Sequence, residues 1–359
     1  MSLLCYFCGV KIHEKYILRC IQVAKNGLGT TFPNPMVGSV VVYQEKIIGE
    51  GYTSRYGGPH AEVNAISSVA NPSFLENATL YVTLEPCSHY GKTPPCADLI
   101  VKHKIPRVVI GIKDPNTKVE GRGIQKLKEA GCQVVVGILE KDCREHHIRF
   151  LTFHEKKRPF IILKWAQSLD GFMAPESKNR DSIPQPYWIT NIRSRQLVHQ
   201  WRSEEQAIMV GTNTVRVDNP ELNVRSWHGN SPTRVVVDRK LKIEQQSHIL
   251  DGSIKTLVFT EIEKTDQYLP GVDYRVIDFS KNVMAQLCDA LYENNILSII
   301  IEGGAKTLQS FIDAGLWDEA RIFTGETQFA KGLKSPWISG KLRESVKLHG
   351  DTLKILRNG

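Results

Sequence analysis

Four residues in the first hundred carry the strongest chemical signal of this 359-residue chain. His60 and Glu62 stand two apart in "PHAEVNAI", and Cys87 and Cys96 lie within "EPCSHYGKTPPC". One imidazole and two thiols make a three-ligand zinc set. Three protein ligands leave a fourth position open for water, the mark of a catalytic rather than a structural site. Zinc lowers the pKa of bound water toward neutrality, which makes a nucleophile available at ordinary pH. Glu62, close to the ligands but outside their count, is placed to take the water's proton and deliver it to a ring nitrogen and a leaving amine. Those are the needs of hydrolytic deamination of an amino-substituted heterocycle. The competing arrangement is a closed site with His89 as fourth ligand, which leaves Glu62 without a task.

Local elements position this set. "ATLYVTLEPC" reads as a strand ending before Cys87, and "PPCADLIVKHKI" as a helix opened by proline that carries Cys96. Both thiols then sit beside one helix N-terminus, whose positive end favours thiolates. His60 opens the helix of "HAEVNAISSVAN". The spacing C-x8-C departs from the tight C-x-x-C of the base-deaminase signature. Cys5 and Cys8 form a C-x-x-C with no second pair, and no site is expected there. Cys20, Cys132, Cys143 and Cys288 read as small buried hydrophobes.

The rest of the first half continues the alternation. "HEKYILRCIQVAKNG" is a helix, "MVGSVVVYQEKIIGEGY" a hairpin, "RVVIGIKD" a strand, "GRGIQKLKEAG" a helix and "CQVVVGIL" a strand. Strands separated by helices imply a mostly parallel sheet with helices on its faces. "EKDCREHHIRFLTFHEKKRP" reads as a helix followed by a charged linker, and the pattern restarts at Pro159. The chain is long enough for two domains, placed at 1–150 and 151–359.

Composition narrows the class. Hydrophobic content of 41% and charged content of 23% belong to a soluble globular protein. No apolar run of about 18 residues is present, so no membrane span is expected. The first fifteen residues lack the basic start of a signal peptide, and a cytoplasmic, reducing location is the expectation. The net charge of +8 comes from 46 basic residues interleaved with 38 acids, without a long basic tract. Such an excess invites a nucleic-acid reading but also suits an enzyme whose ligands carry phosphates, and charge alone does not decide between them.

The second half is also α/β. "FIILKWAQSLDG", "QAIMVG", "TRVVVDRK", "IKTLVFT", "DYRVIDF" and "ILSIIIEGG" read as strands, and "SRQLVHQWRSEE" as a helix. The glycines of "IIIEGGAKTLQSFI" follow a buried strand and open a helix, an arrangement whose free N–H groups attract anions. Neither G-x-G-x-x-G nor a Walker lysine is present, so this is a weak motif alone. By spacing alone Arg202, followed by Ser203, Glu204 and Glu205, reads as a solvated helix face.

The stretches "FPNPMVGSVVV", "GYTSRYGGPHAEVNAI", "TLYVTLEPCSHYGKTPPCADLI" and "VVIGIKDPN" resemble the deaminase domain of the bifunctional riboflavin-biosynthesis deaminase–reductase family, within the cytidine-deaminase-like superfamily. The widened gap "SHYGKTPPC" separates that family from base and tRNA deaminases. The resemblance implies that Asn34 holds the pyrimidine ring and that His89, Lys92 and Thr93 line the substrate site. "LKWAQSLDG", "WIT", "HQWRSEEQAIMVGTNTVRVDNPELNVR" and "IIIEGGAKTL" resemble the reductase domain of the same family, a relative of dihydrofolate reductase. This implies NADPH near Ala166, Trp188, Thr214 and Asp218 and along the loop of Gly303, Gly304, Ala305, Lys306, Thr307, Leu308, Gln309 and Ser310. It implies a sugar-phosphate substrate facing Arg202, Leu222, Arg225 and Glu302, and a guanidinium suits phosphate through paired hydrogen bonds.

The expected fold is therefore α/β in two domains: an N-terminal cytidine-deaminase-like three-layer domain and a C-terminal dihydrofolate-reductase-like one. The expected activity is zinc-dependent hydrolytic deamination of a diaminopyrimidinone ribosylamino phosphate, then NADPH-dependent reduction of the ribosyl chain to ribityl. The cofactor carries the hydride to the sugar's C1 in its ring-opened imine form. No side chain of the second domain stands out as the general acid. Two features depart from the family. "FMAPESKNRDSIPQPY" is a longer link than usual, and Pro186 stands where a serine contacting substrate is usual. The tail "GDTLKILRNG" carries no strong functional signal. The partner expected is a small phosphorylated pyrimidine, without nucleic acid or membrane, bound by a homo-oligomer (dimer or tetramer). A nucleic-acid deaminase fused to a folate-type reductase, and a non-enzymatic protein binding zinc and nucleotide, are the competing readings.

Overall fold

The computed structural model describes residues 3–90, 94–115, 121–176, 185–263 and 269–359, with backbone alone for 3–10. The chain divides into two compact units, Met1–Lys156 and Lys157–Gly359.

The first unit is built on five strands, β1 (Gly38–Tyr43), β2 (Lys46–Tyr52), β3 (Thr79–Leu84), β4 (Arg107–Ile112) and β5 (Gln133–Val136), in the order β2-β1-β3-β4-β5. The hairpin pairing β1–β2 and the pairing β1–β3 are antiparallel, while β3, β4 and β5 run parallel. The sheet is thus mixed, because the hairpin sets β1 antiparallel to the central strand β3. "GSVVV" is buried along its whole length, as an interior strand covered on both faces must be. Among the described residues six α-helices accompany the sheet: α1 (Leu3–Ala24), α2 (Ala61–Ser67), α3 (Cys96–Lys102), α4 (Arg122–Glu129), α5 (Glu140–His146) and α6 (Ile148–Lys156).

Gly51 explains how α2 is seated. A Cβ there would lie 2.3 Å from the Ala65 nitrogen and 2.5 Å from the Ala61 carbonyl oxygen. Only glycine lets the helix lie flush on β2. That contact fixes the start of α2, and with it His60 and Glu62.

The stretch expected as a helix followed by a charged linker forms two helices, α5 and α6. Phe150, Leu151 and Phe153 are buried along α6, and such side chains stabilise by about 2 kcal/mol each. The helix therefore belongs to the first unit, which runs to Lys156.

The second unit has a nine-stranded sheet. Its strands are β6 (Phe160–Gln167), β8 (Ala207–Gly211), β9 (Thr233–Val237), β10 (Thr256–Thr260), β11 (Val272–Val276), β12 (Ser298–Ile301), β13 (Glu319–Thr324), β15 (Lys341–Leu348) and β16 (Asp351–Arg357); β7 (Phe172–Pro175) and β14 (Gly332–Lys334) form a separate pair. The order is β11-β10-β9-β8-β12-β6-β13-β16-β15, parallel from β11 to β13 and antiparallel beyond. Helices α9 (Val283–Glu293) and α10 (Ala305–Asp313) bury Leu287, Leu291, Leu308 and Phe311 against one face. Helix α7 (Ile192–Glu204) packs Trp201 on Phe323 of β13, ring centroids 5.4 Å apart. Helix α8 (Thr212–Asp218) follows β8 directly.

The C-terminal tail has a structural task. Strand β16 lies between β13 and β15, and Asp351 accepts hydrogen bonds from the Asn191 nitrogen (2.9 Å) and the Ser194 hydroxyl (2.5 Å). Asn191 in turn caps α7, accepting from the nitrogens of Arg193 and Ser194. Among the described residues no helix is long and apolar enough to cross a membrane.

Candidate active sites

In the first unit, His60, Cys87 and Cys96 converge. The His60 Nδ1 lies 3.6 Å from the Cys87 sulfur and 3.3 Å from the Cys96 sulfur. A tetrahedral zinc with bonds of about 2.3 Å to sulfur and about 2.0 Å to nitrogen sets those atoms about 3.5 Å apart, so the donor set fits the ion. His60 is the cap of α2, Cys96 the first residue of α3, and the Cys96 N–H donates to the Cys87 sulfur at 3.3 Å. Three elements thus meet at one point. Among the described residues the donor cluster contains these three side chains, and the exposed His89 is not in it.

Glu62 is buried beside the cluster, 4% exposed. Burial, then the nearby Cys87 charge, pushes its carboxyl up to about 7. Hydrogen bonding from Cys96 and His60 holds the Cys87 thiol well below the usual thiol range, against the opposing effect of burial, while Cys96 is pushed up.

Glu85, the acid of "EPC", has a role that spacing did not disclose. Its buried carboxylate accepts from the backbone nitrogens of Asp114, Gly121, Gly123 and Ile124 at 3.0–3.3 Å. It ties the start of α4 to the strand end that delivers Cys87. Asn34 lies half-buried in the turn between α1 and β1, two residues before Met36. The Met36 carbonyl oxygen is 2.7 Å from the His146 Nε2, and the His147 Nε2 is 3.0 Å from the Thr83 hydroxyl at the end of β3. The pair at the α5–α6 junction therefore braces both the Asn34 turn and the strand before Cys87. Lys92 and Thr93 lie outside the described residues.

The second unit holds a cavity of about 380 Å³. Ala166, Trp188, Thr214 and Asp218, expected beside the cofactor, line it, as do Arg202, Leu222, Arg225 and Glu302, expected at the substrate. Pro186 lines it too, whereas residues 177–184 of the long link lie outside the described residues. Leu222 is 2% exposed with a φ of 50°, the left-handed region that a branched side chain rarely occupies.

The loop at Gly303 meets the β8–α8 junction. A Cβ on Gly303 would lie 2.6 Å from the Val210 Cα, and one on Gly211 would lie 2.6 Å from the Thr307 hydroxyl. Gly304 has a φ of 46° and its missing Cβ faces the Thr214 hydroxyl at 3.2 Å. Two neighbouring parallel strands thus end in glycines that bring the starts of α8 and α10 together, a cradle suited to a dinucleotide's phosphates.

Arg202 is not a solvated residue. It donates from Nε to Glu302 Oε1 at 3.2 Å, from Nη2 to Oε2 at 2.7 Å, and from Nη1 to the Asn223 carbonyl at 3.1 Å. Lys164 stands 3.8 Å from the same carboxylate. Burial alone would raise Glu302, but the charges of Arg202 and Lys164 hold it down at about 2. Lys164, whose pKa is lowered chiefly by burial, is a cavity residue that sequence reasoning missed. Its signal was a lone lysine inside the apolar strand "FIILKWA". Arg195 and His199 were missed as well, although with Arg202 they recur at helical spacing along α7.

Comparison with known proteins agrees with both halves. Residues 10–112 match the cytidine and deoxycytidylate deaminase zinc-binding region, and residues 159–327 match the RibD C-terminal domain. The riboflavin biosynthesis protein RibD of Bacillus amyloliquefaciens is 39% identical over 343 residues, covering 94% of this chain and 90% of that protein. That of Escherichia coli K12 is 33% identical, covering 86% of each. Among solved structures, a diaminohydroxyphosphoribosylaminopyrimidine deaminase/5-amino-6-(5-phosphoribosylamino)uracil reductase from Thermotoga maritima superposes with a TM-score of 0.87 at 36% identity, covering 98% of this chain and 100% of that one. Acinetobacter baumannii RibD gives 0.88 at 34% identity, covering 98% and 99%.

Proposed function

The chain belongs to the RibD family of bifunctional deaminase–reductases of riboflavin biosynthesis, and we propose that its two compact units divide the two reactions at the residues described above. The first unit deaminates a diaminopyrimidinone ribosylamino phosphate. The second reduces the ribosyl chain of the product to ribityl with NADPH.

The observation that carries this reading is the three-donor cluster with Glu62 buried beside it. His60, Cys87 and Cys96 would hold zinc, which supplies Lewis acidity that lowers the pKa of a water toward neutrality. Glu62 takes the proton of the attacking water, gives it to the ring nitrogen, and serves the departing amine in turn. Burial suits the task, since it keeps the carboxyl's affinity for a proton near neutrality. Asn34, with His89, Lys92 and Thr93, would orient the pyrimidine; the bracing of the Asn34 turn by His146 supports that assignment for Asn34.

In the second unit the Gly303–Ser310 stretch with Ala166, Trp188, Thr214 and Asp218 would hold NADPH, whose nicotinamide supplies the hydride. Leu222, Arg225 and Glu302 face the sugar phosphate across the cavity. Arg202 acts through Glu302, which it orients, and Lys164 presents a buried ammonium to the same place. The reading includes a cytoplasmic homo-oligomer, a dimer or tetramer, for which sedimentation of the purified chain is the direct check.

Mass spectrometry of the products tests the whole reading. The phosphorylated diaminopyrimidinone should yield the deaminated compound without NADPH, and the deaminated, reduced compound with it. NADPH oxidation that depends on dihydrofolate instead of the deaminated intermediate would sink the assignment.

A further inference from the structure

Asn219 and Leu222 both hold a positive φ, 39° and 50°. Neither is glycine, and such backbone persists only where its surroundings fix it. The strained stretch joins Asp218, expected beside the cofactor, to Leu222, expected at the substrate, and every residue from Asp218 to Leu222 lines the cavity. Its entry is Asn219, the left-handed residue that ends α8. Its exit is held by Arg202, which donates to the Asn223 carbonyl at 3.1 Å.

The entry is held from another direction. His248, 29 residues further along the chain, meets Asn219 twice: its backbone nitrogen donates to the Asn219 Oδ1 at 3.0 Å, and its ring Nδ1 lies 2.9 Å from the Asn219 carbonyl oxygen. A carbonyl oxygen only accepts, so Nδ1 carries the proton of that bond. Side chain and main chain of one residue are thus gripped together, which fixes both the rotamer of Asn219 and the direction of its carbonyl.

His248 is itself anchored. It opens a short 3₁₀ turn, His248–Leu250, whose Ile249 and Leu250 are buried. The His248 carbonyl accepts from the Arg234 Nη1 at 2.9 Å, and the same nitrogen donates to the Asp251 Oδ1 at 2.7 Å. Arg234 belongs to β9 and is only 1% exposed. A guanidinium so deeply buried needs partners, and these partners tie the turn to the sheet. A continuous set of hydrogen bonds therefore runs from β9 through His248 to Asn219 at the cavity edge.

We propose that His248 is a positioning residue for the second unit's reaction. Through Asn219 it holds the Asp218–Leu222 edge in the strained shape that presents Asp218 to the cofactor and Leu222 to the substrate. The inference rests on the second unit being the reductase. One edge serves two ligands, so loosening it weakens both together and leaves the reacting atoms untouched.

The variants His248→Leu, His248→Asn and His248→Gln are made in the full-length chain, with Asn219→Gly, which keeps the left-handed backbone without strain and removes the Oδ1 acceptor. All six tryptophans lie at position 165 or later, so their fluorescence reports NADPH binding in the second unit. Steady-state reduction of the deaminated intermediate gives KM and kcat. His248→Leu and Asn219→Gly should each weaken NADPH binding and raise the KM for the intermediate by roughly 2- to 10-fold, the loss of one hydrogen bond apiece. The kcat should stay within about twofold of the wild type, as uniform binding loss requires. An asparagine amide places an N–H where Nδ1–H stands, and a glutamine amide where Nε2 stands. His248→Asn should therefore restore both affinities, and His248→Gln should not.

Unchanged affinity for both ligands in His248→Leu overturns the proposal, even with a lowered melting temperature, because the residue would then only stabilise the fold. Loss for one ligand alone, or rescue by glutamine and not by asparagine, overturns it as well, because His248 would then touch that ligand directly. If His248→Leu does not fold, the same weakening must appear in Asn219→Gly, and wild-type affinities there overturn it. If the wild-type chain reduces no deaminated intermediate, the reductase reading fails separately. Hydrogen exchange at the Asn219 amide, which donates to the Val215 carbonyl at 2.8 Å, then decides about His248. Faster exchange in His248→Leu, with wild-type exchange in His248→Asn, supports the clamp; equal exchange in both overturns it.

Discussion

Arg202 grips Glu302 through both carboxylate oxygens, at 3.2 and 2.7 Å, with the two side chains only 11% and 8% exposed. Both residues line the cavity of the second unit, where each holds the other in place. Breaking a buried pair by removing one partner leaves an uncompensated charge and costs about 3–5 kcal/mol. Arg202→Met should therefore destabilise the second unit by about 3 kcal/mol in urea unfolding followed by tryptophan fluorescence. Lys164, 3.8 Å away, compensates Glu302 only in part. A loss below about 0.5 kcal/mol would show that the pair behaves like an exposed bridge.

Glu62→Gln should keep the metal and lose deamination. The amide preserves shape and leaves His60, Cys87 and Cys96 in place, so metal content by atomic absorption is expected to match the wild type. Amine release should fall by about 10²- to 10⁴-fold, the range of a removed acid–base catalyst. Reduction of the deaminated intermediate with NADPH should be unchanged. Full amine release with full zinc would mean that another group moves the proton.

Removal of the metal should separate the two halves in the opposite sense. A chelator withdraws an ion that binds the folded unit, so the first unit loses both deamination and stability. No donor cluster of this kind is found among the described residues of the second unit, and NADPH-dependent reduction should survive chelation. Restoration of amine release by added zinc completes the test. Loss of both activities on chelation would contradict the division of work.

The meeting of His60, Cys87 and Cys96 and the order of the α/β elements were legible because their information is local. A histidine opening a helix, a thiol after a strand and a thiol after two prolines each follow from a few neighbouring residues. Glu85 was not legible in its role, since its four N–H partners lie up to 39 residues away. Arg202 was misjudged by spacing for the same reason: Glu302 is 100 residues distant in sequence. Lys164 and Arg195 become informative only when β6 and α7 are brought to one cavity. The tail "GDTLKILRNG" looked inert because its partners, β13 and Asn191, are remote in sequence.

That tail supplies a prediction about the reductase boundary. The family match of the second unit ends at residue 327, yet β16 pairs with β13 along its length and Asp351 anchors the start of α7. A chain ending at 340 would expose the β13 edge and leave the Asn191 nitrogen unpaired. It should be insoluble or fail to bind NADPH, whereas Asp351→Asn in the full chain should fold with a loss of about 1–3 kcal/mol. A soluble, active truncation would show that the last two strands are dispensable.

The last prediction concerns acid. His146 and His147 lie with ring centroids 4.7 Å apart at the α5–α6 junction. Burial, with Lys25 and Arg149 adding repulsion, lowers the His146 pKa to about 4, although the Met36 carbonyl favours the charged form. His147 is 2% exposed and is lowered well below its ordinary value by burial and by His146. Between about pH 6.5 and pH 4 the unfolded chain therefore binds protons that the folded chain refuses. Stability is complete above about 6.5 and falls as pH drops toward 4, by roughly 3 kcal/mol for His146. Below that pH both states carry the His146 proton and this contribution to the loss stops. The double variant His146→Gln, His147→Gln removes both titrations, and its amides are able to donate to Met36 and Thr83. Its stability relative to wild type should rise as pH falls from 7.5 to 5, measured by urea unfolding with far-ultraviolet circular dichroism. Protonation of the zinc ligands affects both proteins and cancels in the comparison. A difference that stays constant with pH would mean that the two histidines are not the groups that resist the proton.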